Sequence, residues 1–188
     1  MKKKFPFRTD FIRCCVSKKM KRINKIINHP LYRESLEKIE NYEKEREFCK
    51  HDRKHFLDVC RIAYLFYLEE EQLQKSLPYE KEQIKELLYG AGLLHDIGRW
   101  QQYEQGIEHH IASAVLARTI LQDTDFSKEE EEIICEVILS HRSQEESGKK
   151  TLAGIFYRAD KASRACYWCP MEDKCNWKKE KKNVRIWV

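Results

Sequence analysis

Glycine and proline are scarce in this chain, six and four among 188 residues, while hydrophobic residues make up 41%. That balance excludes a disordered chain and disfavours a turn-rich sheet sandwich, and it points to a helix-rich globular protein. Long apolar runs are missing as well: none approaches the ~18 residues of a membrane span. Lys2-Lys3-Lys4 leads into Phe5-Pro6-Phe7-Arg8-Thr9-Asp10, where a signal peptide needs an unbroken apolar stretch. The expected setting is therefore a reducing cytoplasm, with no membrane partner. The length suits one domain with a sizeable core.

Acidic charge is almost absent from the two ends. Residues 1–29 carry ten Lys/Arg against one acid and residues 161–188 eight against three, which leaves the middle of this +5 chain with a net charge of −9. A nucleic-acid-binding face would more naturally involve the body of the domain, so the ends read as solvated basic tails and nucleic acid is disfavoured as a partner.

Period-two alternation is lacking too, and helical periodicity stands in its place. Residues 1–19 show no clean stripe and read as a flexible basic extension, with translation starting at Met1 or at Met20. From Met20, apolar residues recur at helical spacing around a break at His29-Pro30. Phe56, Val59, Ile62, Ala63 and Phe66 line one face of a helix with His55 near its start. After Pro78, Ile84, Leu87, Leu88, Ala91 and Leu94 lead to His95 and Asp96, and Gly98 lets the chain turn. Gln101 to Gly106 reads as a polar loop. Next come a helix with the stripe Ile107, Ile111, Ala114, Val115, Leu121 and one opened by a Ser127/Glu130 capping box and ending at His141. A last strong helix, about 150–164, holds Asp160. The fold class is all-α, with 20–165 as the domain and 166–188 as a cysteine-containing segment and basic tail.

His95 and Asp96 are costly polar groups at the end of an apolar run, and a metal ion is a fitting partner for them. His55, His109 or His110, His141 and Asp160 recur at successive helix ends, and together they read as a metal centre assembled from several helices. Imidazole and carboxylate ligands suit Mn, Fe, Zn, Co, Ni or Mg without distinguishing among them.

These residues, in this order, resemble the HD-domain superfamily of metal-dependent phosphohydrolases, whose pattern runs His, His-Asp, Asp, with extra histidines in dinuclear members. The matching pieces are His51-Asp52-Arg53-Lys54-His55 with Val59, Leu93-Leu94-His95-Asp96-Ile97-Gly98-Arg99, and Ala159-Asp160-Lys161. The resemblance spans roughly Met20 to Arg164 and implies one helical bundle with the metal site at its centre. It implies that His55, His95, Asp96 and Asp160 hold one ion, with His51 outside the ligand set. A second ion would take His141 and His109, preferred to His110 because Ser113 and Ala114 follow it at the fourth and fifth positions, with Asp96 as the bridge. Asp96 and Arg99 are then the catalytic candidates, and Arg99, Lys161 and Arg164 would neutralise phosphate oxygens. Trp100, Gln101, Gln102 and Tyr103 read as solvated loop near the entrance.

The implied activity is hydrolysis of a phosphate ester or anhydride in a nucleotide or another small phosphorylated compound. No Gly-Tyr-Pro signature follows the ligands, which argues against a cyclic-dinucleotide specialist. A di-iron oxygenase of the same superfamily and a non-catalytic metal-sensing module are the alternatives. Oligomeric state is not legible.

Eight cysteines are many for a reducing compartment. Cys166 and Cys169 carry the two-residue gap of zinc or iron–sulfur loops, Cys175 follows after five more residues, and Cys49 is the candidate fourth ligand. Three reduced thiols are the plain alternative. Cys60 and Cys135 read as core, and Cys14 and Cys15 fall in the extension.

Overall fold

The computed structural model describes residues 20–185; Cys14, Cys15 and the N-terminal extension lie outside the described residues. Among those described there is no strand, and no helix is long and apolar enough to cross a membrane. The chain runs through α1 (Lys21–Asn28), α2 (Pro30–Tyr42), α3 (Arg53–Glu69), α4 (Glu71–Ser76), α5 (Lys81–Leu94), α6 (Arg99–Gln105), α7 (His109–Gln122), α8 (Lys128–Ser140) and α9 (Leu152–Ala162).

Local chemistry opens these helices. Pro30 occupies the first turn of α2, where its missing N–H costs nothing, and the His29 ring accepts from the Leu31 N–H. Asp52 caps α3 by accepting from His55 N at 2.8 Å, Thr151 caps α9 at Gly154 N, and Ser127 with Glu130 forms the reciprocal box that starts α8. Packing then decides their arrangement. α3 lies against α5 and α9, and α5 and α7 both lie against α8. Phe56, Ile84, Leu88, Ile120, Ile138 and Phe156 are fully buried between them, and Ile26 of α1 joins the same core.

Three expectations need correction. Gln101 to Gln105 is not loop: it belongs to α6, which Gly106 ends in the left-handed conformation at φ 71°. The stripe assigned to α7 holds at Ala114 and Leu121, which are buried, and fails at its other three residues. Ile107, Ile111 and Val115 are 39%, 48% and 62% exposed, whereas His109, Ala112, Ser113, Leu116, Ala117 and Ile120 face inward. Small side chains, not the most apolar ones, let this helix approach its neighbours closely. Gly98, finally, has φ −85°, which any residue adopts, so turning is not what it supplies.

Space is what Gly98 supplies. A Cβ there would stand 2.4 Å from the Ser113 backbone nitrogen and 2.6 Å from the Ala112 Cβ. The Gly98 N–H also donates to Ser113 Oγ at 2.9 Å, which locks α7 against the chain just past Asp96. Gly98→Ala is expected to cost about 1–3 kcal/mol through overpacking against backbone. Thermal unfolding should fall by several degrees, and an unchanged midpoint would show that α7 yields freely.

Candidate metal centre

Five helix ends converge on one site. His55 sits in the first turn of α3, His95 and Asp96 in the turn after α5, His109 at the start of α7, His141 at the cap of α8 and Asp160 in α9. The ligand-type atoms of His55, His95 and Asp160 lie within 4.8 Å of one another, and so do those of Asp96, His109 and His141. Asp96 joins the two sets. Its Oδ2 is 3.5 Å from His95 Nε2 and 3.9 Å from His55 Nε2, while its Oδ1 is 3.2 Å from His109 Nε2 and 3.6 Å from His141 Nε2.

The four imidazoles are oriented from behind. His95 Nδ1 donates to the Gly92 carbonyl at 2.9 Å, His141 Nδ1 to the Ile138 carbonyl at 2.6 Å, and His109 Nδ1 to Gln102 Oε1 at 2.6 Å. Ser163 Oγ donates to the Asp160 carbonyl, so it is left to accept from His55 Nδ1 at 3.1 Å. Each Nδ1 proton is thereby committed, and each Nε2 turns its lone pair into the site.

Burial keeps the lone pairs of His55, His95 and His109 open. It pushes the His95 imidazole down to about 3 and His109 to about 2, and it lowers His55 as well, against the pull of nearby carboxylates. Burial would raise Asp96 and Asp160. His95 and Arg99 outweigh it at Asp96, and Lys161 and His95 at Asp160, so both carboxyls stay below the ordinary carboxylate range.

This donor set fits a divalent cation. His55 Nε2 and His95 Nε2 stand 3.3 Å apart with both Nδ1 protons engaged elsewhere, so two lone pairs face each other. The buried Asp96 Oδ1 has no hydrogen-bond partner. Positive charge between them satisfies all three groups.

Asp96 also lies at the floor of a cavity of about 340 Å³, shared with the cations Arg46, Lys50, Arg99, Arg142, Lys161 and Arg164. Arg99 Nε is 3.7 Å from Asp96 Oδ2 and lacks a hydrogen-bond partner. Lys161 pairs with Asp160 and donates to the His141 carbonyl at 3.3 Å, while the Arg164 guanidinium lies 4.2 Å over the Trp177 ring. His110 is turned away, 3.8 Å from Glu108. Because α6 is helical, Arg99 and Gln102 lie one turn apart on the same face, and both reach the site.

Two residues outside the ligand set gain a place at the site, and of the two Glu43 went unsignalled in the sequence. His51, expected either beside the ligands or at the surface, lies beside them: its Nε2 is 3.5 Å from Asp96 Oδ2 and accepts from Arg99 Nη2 at 2.8 Å. Its Nδ1 donates to Glu43 at 2.5 Å. Glu43 is buried and also accepts from the His51 N–H and the Tyr103 hydroxyl, both at 2.6 Å. The Asp52 cap fixes where α3 begins and so hints at His51; nothing in the charged run 43–47 distinguishes Glu43.

Burial raises the Glu43 carboxyl, but the bonds from His51 and Tyr103 outweigh it and hold it at about 2, against 4.5 ordinarily. A carboxyl depressed on folding adds stability that is present above its unfolded value and lost as pH falls toward the folded one. Glu43→Gln is therefore expected to cost about 2 kcal/mol at pH 7, with partial solvent screening allowed for. The gap to the parent should shrink from about pH 4.5 toward pH 2. Urea unfolding across that range measures it, and a gap independent of pH contradicts the assignment.

The HD domain family profile matches residues 52–165. α1 and α2 lie before that match, yet Ile26 and Ile39 share its core. A Clostridium beijerinckii protein described as uncharacterized is 44% identical over 168 residues, covering 89% of this chain and 99% of the relative. No solved structure matches. With a profile covering most of the chain and paired His/Asp clusters at its centre, the protein belongs to the HD domain family, a family that includes many metal-dependent phosphohydrolases.

Proposed function

We propose that the protein is a metal-dependent phosphohydrolase that cleaves a phosphate ester or anhydride in a nucleotide or another small phosphorylated compound. The observation that carries this reading is the position of Asp96 between two His/Asp sets, in a cavity that six cationic side chains also line. His55, His95 and Asp160 would hold one divalent ion and His109 and His141 another, with Asp96 shared. Ions bound there supply Lewis acidity toward a phosphoryl group and a water activated near neutral pH.

The chain's own groups do the rest. Arg99, Lys161 and Arg164 bind phosphate oxygens and offset the charge that builds during cleavage. Glu43 and His51 position Arg99, because the guanidinium donates to a ring nitrogen whose opposite face Glu43 anchors. The buried floor, with His95 fully enclosed, restricts water at the reacting group.

The test is a panel of phosphate monoesters, diesters and nucleotides offered to metal-stripped protein reloaded separately with Mn, Fe, Co or Ni. Metal-dependent phosphate release supports the proposal. Oxygen consumption by the iron-loaded protein without phosphate release would place it among the oxygenases instead. His51→Ala should lower kcat by about 10- to 100-fold with bound metal retained, as expected of a group that orients another. Loss of metal in that variant would make His51 a ligand.

A further inference from the structure

The segment 163–185, which walls one side of the metal centre, contains no buried residue. Its only regular structure is a pair of three-residue 3-10 turns, Cys166–Trp168 and Lys179–Lys181, and Trp168 and Trp177 are 80% and 45% exposed. Apolar burial therefore cannot hold it. The loop that faces it, between α2 and α3, is also exposed from residue 44 to residue 50. Yet this pair of loops positions groups that matter, since Arg46, Lys50, Arg164 and Trp177 all line the central cavity.

Cysteines lie where the two loops meet. Cys49 and Cys169 border one depression of about 280 Å³ on the outer side of His55. Desolvation pushes the Cys49 thiol up, with the thiols of Cys166, Cys169 and Cys175 adding to it and the Arg164 guanidinium opposing it. Successive turns carry the three through the segment: Cys169 N–H donates to the Cys166 carbonyl, Glu172 N–H to Cys169, and Cys175 N–H to Glu172. Lys182 stitches that run by donating to the Glu172 carbonyl at 2.6 Å. All four cysteines are free thiols, and among the described residues no three of their sulfurs lie within 4.8 Å of one another.

We propose that Cys49, Cys166, Cys169 and Cys175 form a second, four-thiolate metal centre that staples the C-terminal segment to the α2–α3 loop at the rim of the His/Asp site. Four converging thiolates suit one Zn ion or an iron–sulfur cluster, both of which supply folding energy where a core is lacking. A single Zn ion would require the four sulfurs to move inward. A cluster needs less movement, because its own atoms stand between the thiolates. Each thiol that ligates gives up its proton, so loading releases up to four protons per chain.

The test uses the full chain, purified without oxygen, stripped of metal and titrated with Zn2+ alone or with Fe2+ plus sulfide. Asp96→Ala serves as the background, since it disrupts the His/Asp sets without touching a cysteine. One retained equivalent of Zn supports the zinc form; equal iron and acid-labile sulfide with visible absorbance supports the cluster. Either should be lost in Cys169→Ser and in Cys175→Ser made in that background. Iodoacetamide labelling read by peptide mass gives an answer without these variants: the four cysteines should be protected in the loaded parent chain and labelled after stripping. Loading should also slow proteolytic cleavage within 163–185. Metal content unaltered by either cysteine substitution, or four thiols labelled equally with and without metal, overturns the proposal. Neither result bears on phosphohydrolase activity, which rests on the other site.

Discussion

Asp96→Ala should remove metal from both halves of the centre at once and lower metal-dependent phosphate release by a factor on the order of 10³ or more, equivalent to about 4 kcal/mol of barrier. The reason lies in how the carboxylate is shared. Oδ2 faces His55 and His95, and Oδ1 faces His109 and His141, so one deletion takes an oxygen from each set. His109→Ala provides the contrast: it leaves His55, His95 and Asp160 intact and should retain about one ion at the His/Asp centre while losing the other. Metal analysis of the two variants alongside the parent checks this. Metal-dependent turnover that survives in Asp96→Ala would remove the basis for a shared site.

Phe156→Ala is expected to have the largest effect on stability, about 3–5 kcal/mol from lost burial and the cavity left behind. For a chain of this size the thermal midpoint should fall by about 10 °C. Phe156 is wholly buried on α9, and its ring meets the His95 imidazole edge-on at a centroid distance of 5.5 Å. Phe56 meets the same imidazole from α3, also at 5.5 Å, so His95 is held between two aromatic rings. The truncation should therefore weaken metal binding as well as the fold, whereas Phe156→Leu, which fills most of the volume, should spare much of both. Calorimetry together with metal titration separates the two effects. A normal midpoint in Phe156→Ala would show that the core refills the space.

The helices that could be read from periodicity were those whose buried face is made of large apolar side chains. α3 and α5 are of that kind, and their ends deliver His55 and His95. α7 misleads because Ala112, Ser113, Ala117 and a histidine share its inward face with Leu116, Ile120 and Leu121, while Ile111 and Val115 point to solvent. The mistaken loop over 101–105 has a similar origin. α6 has no buried residue, so no apolar stripe marks it; Gly98 at its start and Gly106 at its end bound it instead. Metal-type residues were legible because His and Asp at helix ends, beside apolar runs, are costly without a partner. Glu43 was invisible, since one acid in a charged run looks like any other until folding buries it.

The sequence by itself determined that the chain is helical, because the 3.6-residue spacing of its apolar residues is a local property. It also determined which residues could form a metal centre, because side-chain chemistry and order along the chain travel with the sequence. Only the tertiary structure decided that Asp96 stands between two sets with one oxygen toward each, that His109 rather than His110 points inward, and that Glu43 and His51 support Arg99. Those outcomes depend on the rotation of each helix about its axis and on how closely backbones approach, as at Gly98. Both are settled by packing between segments remote in the chain.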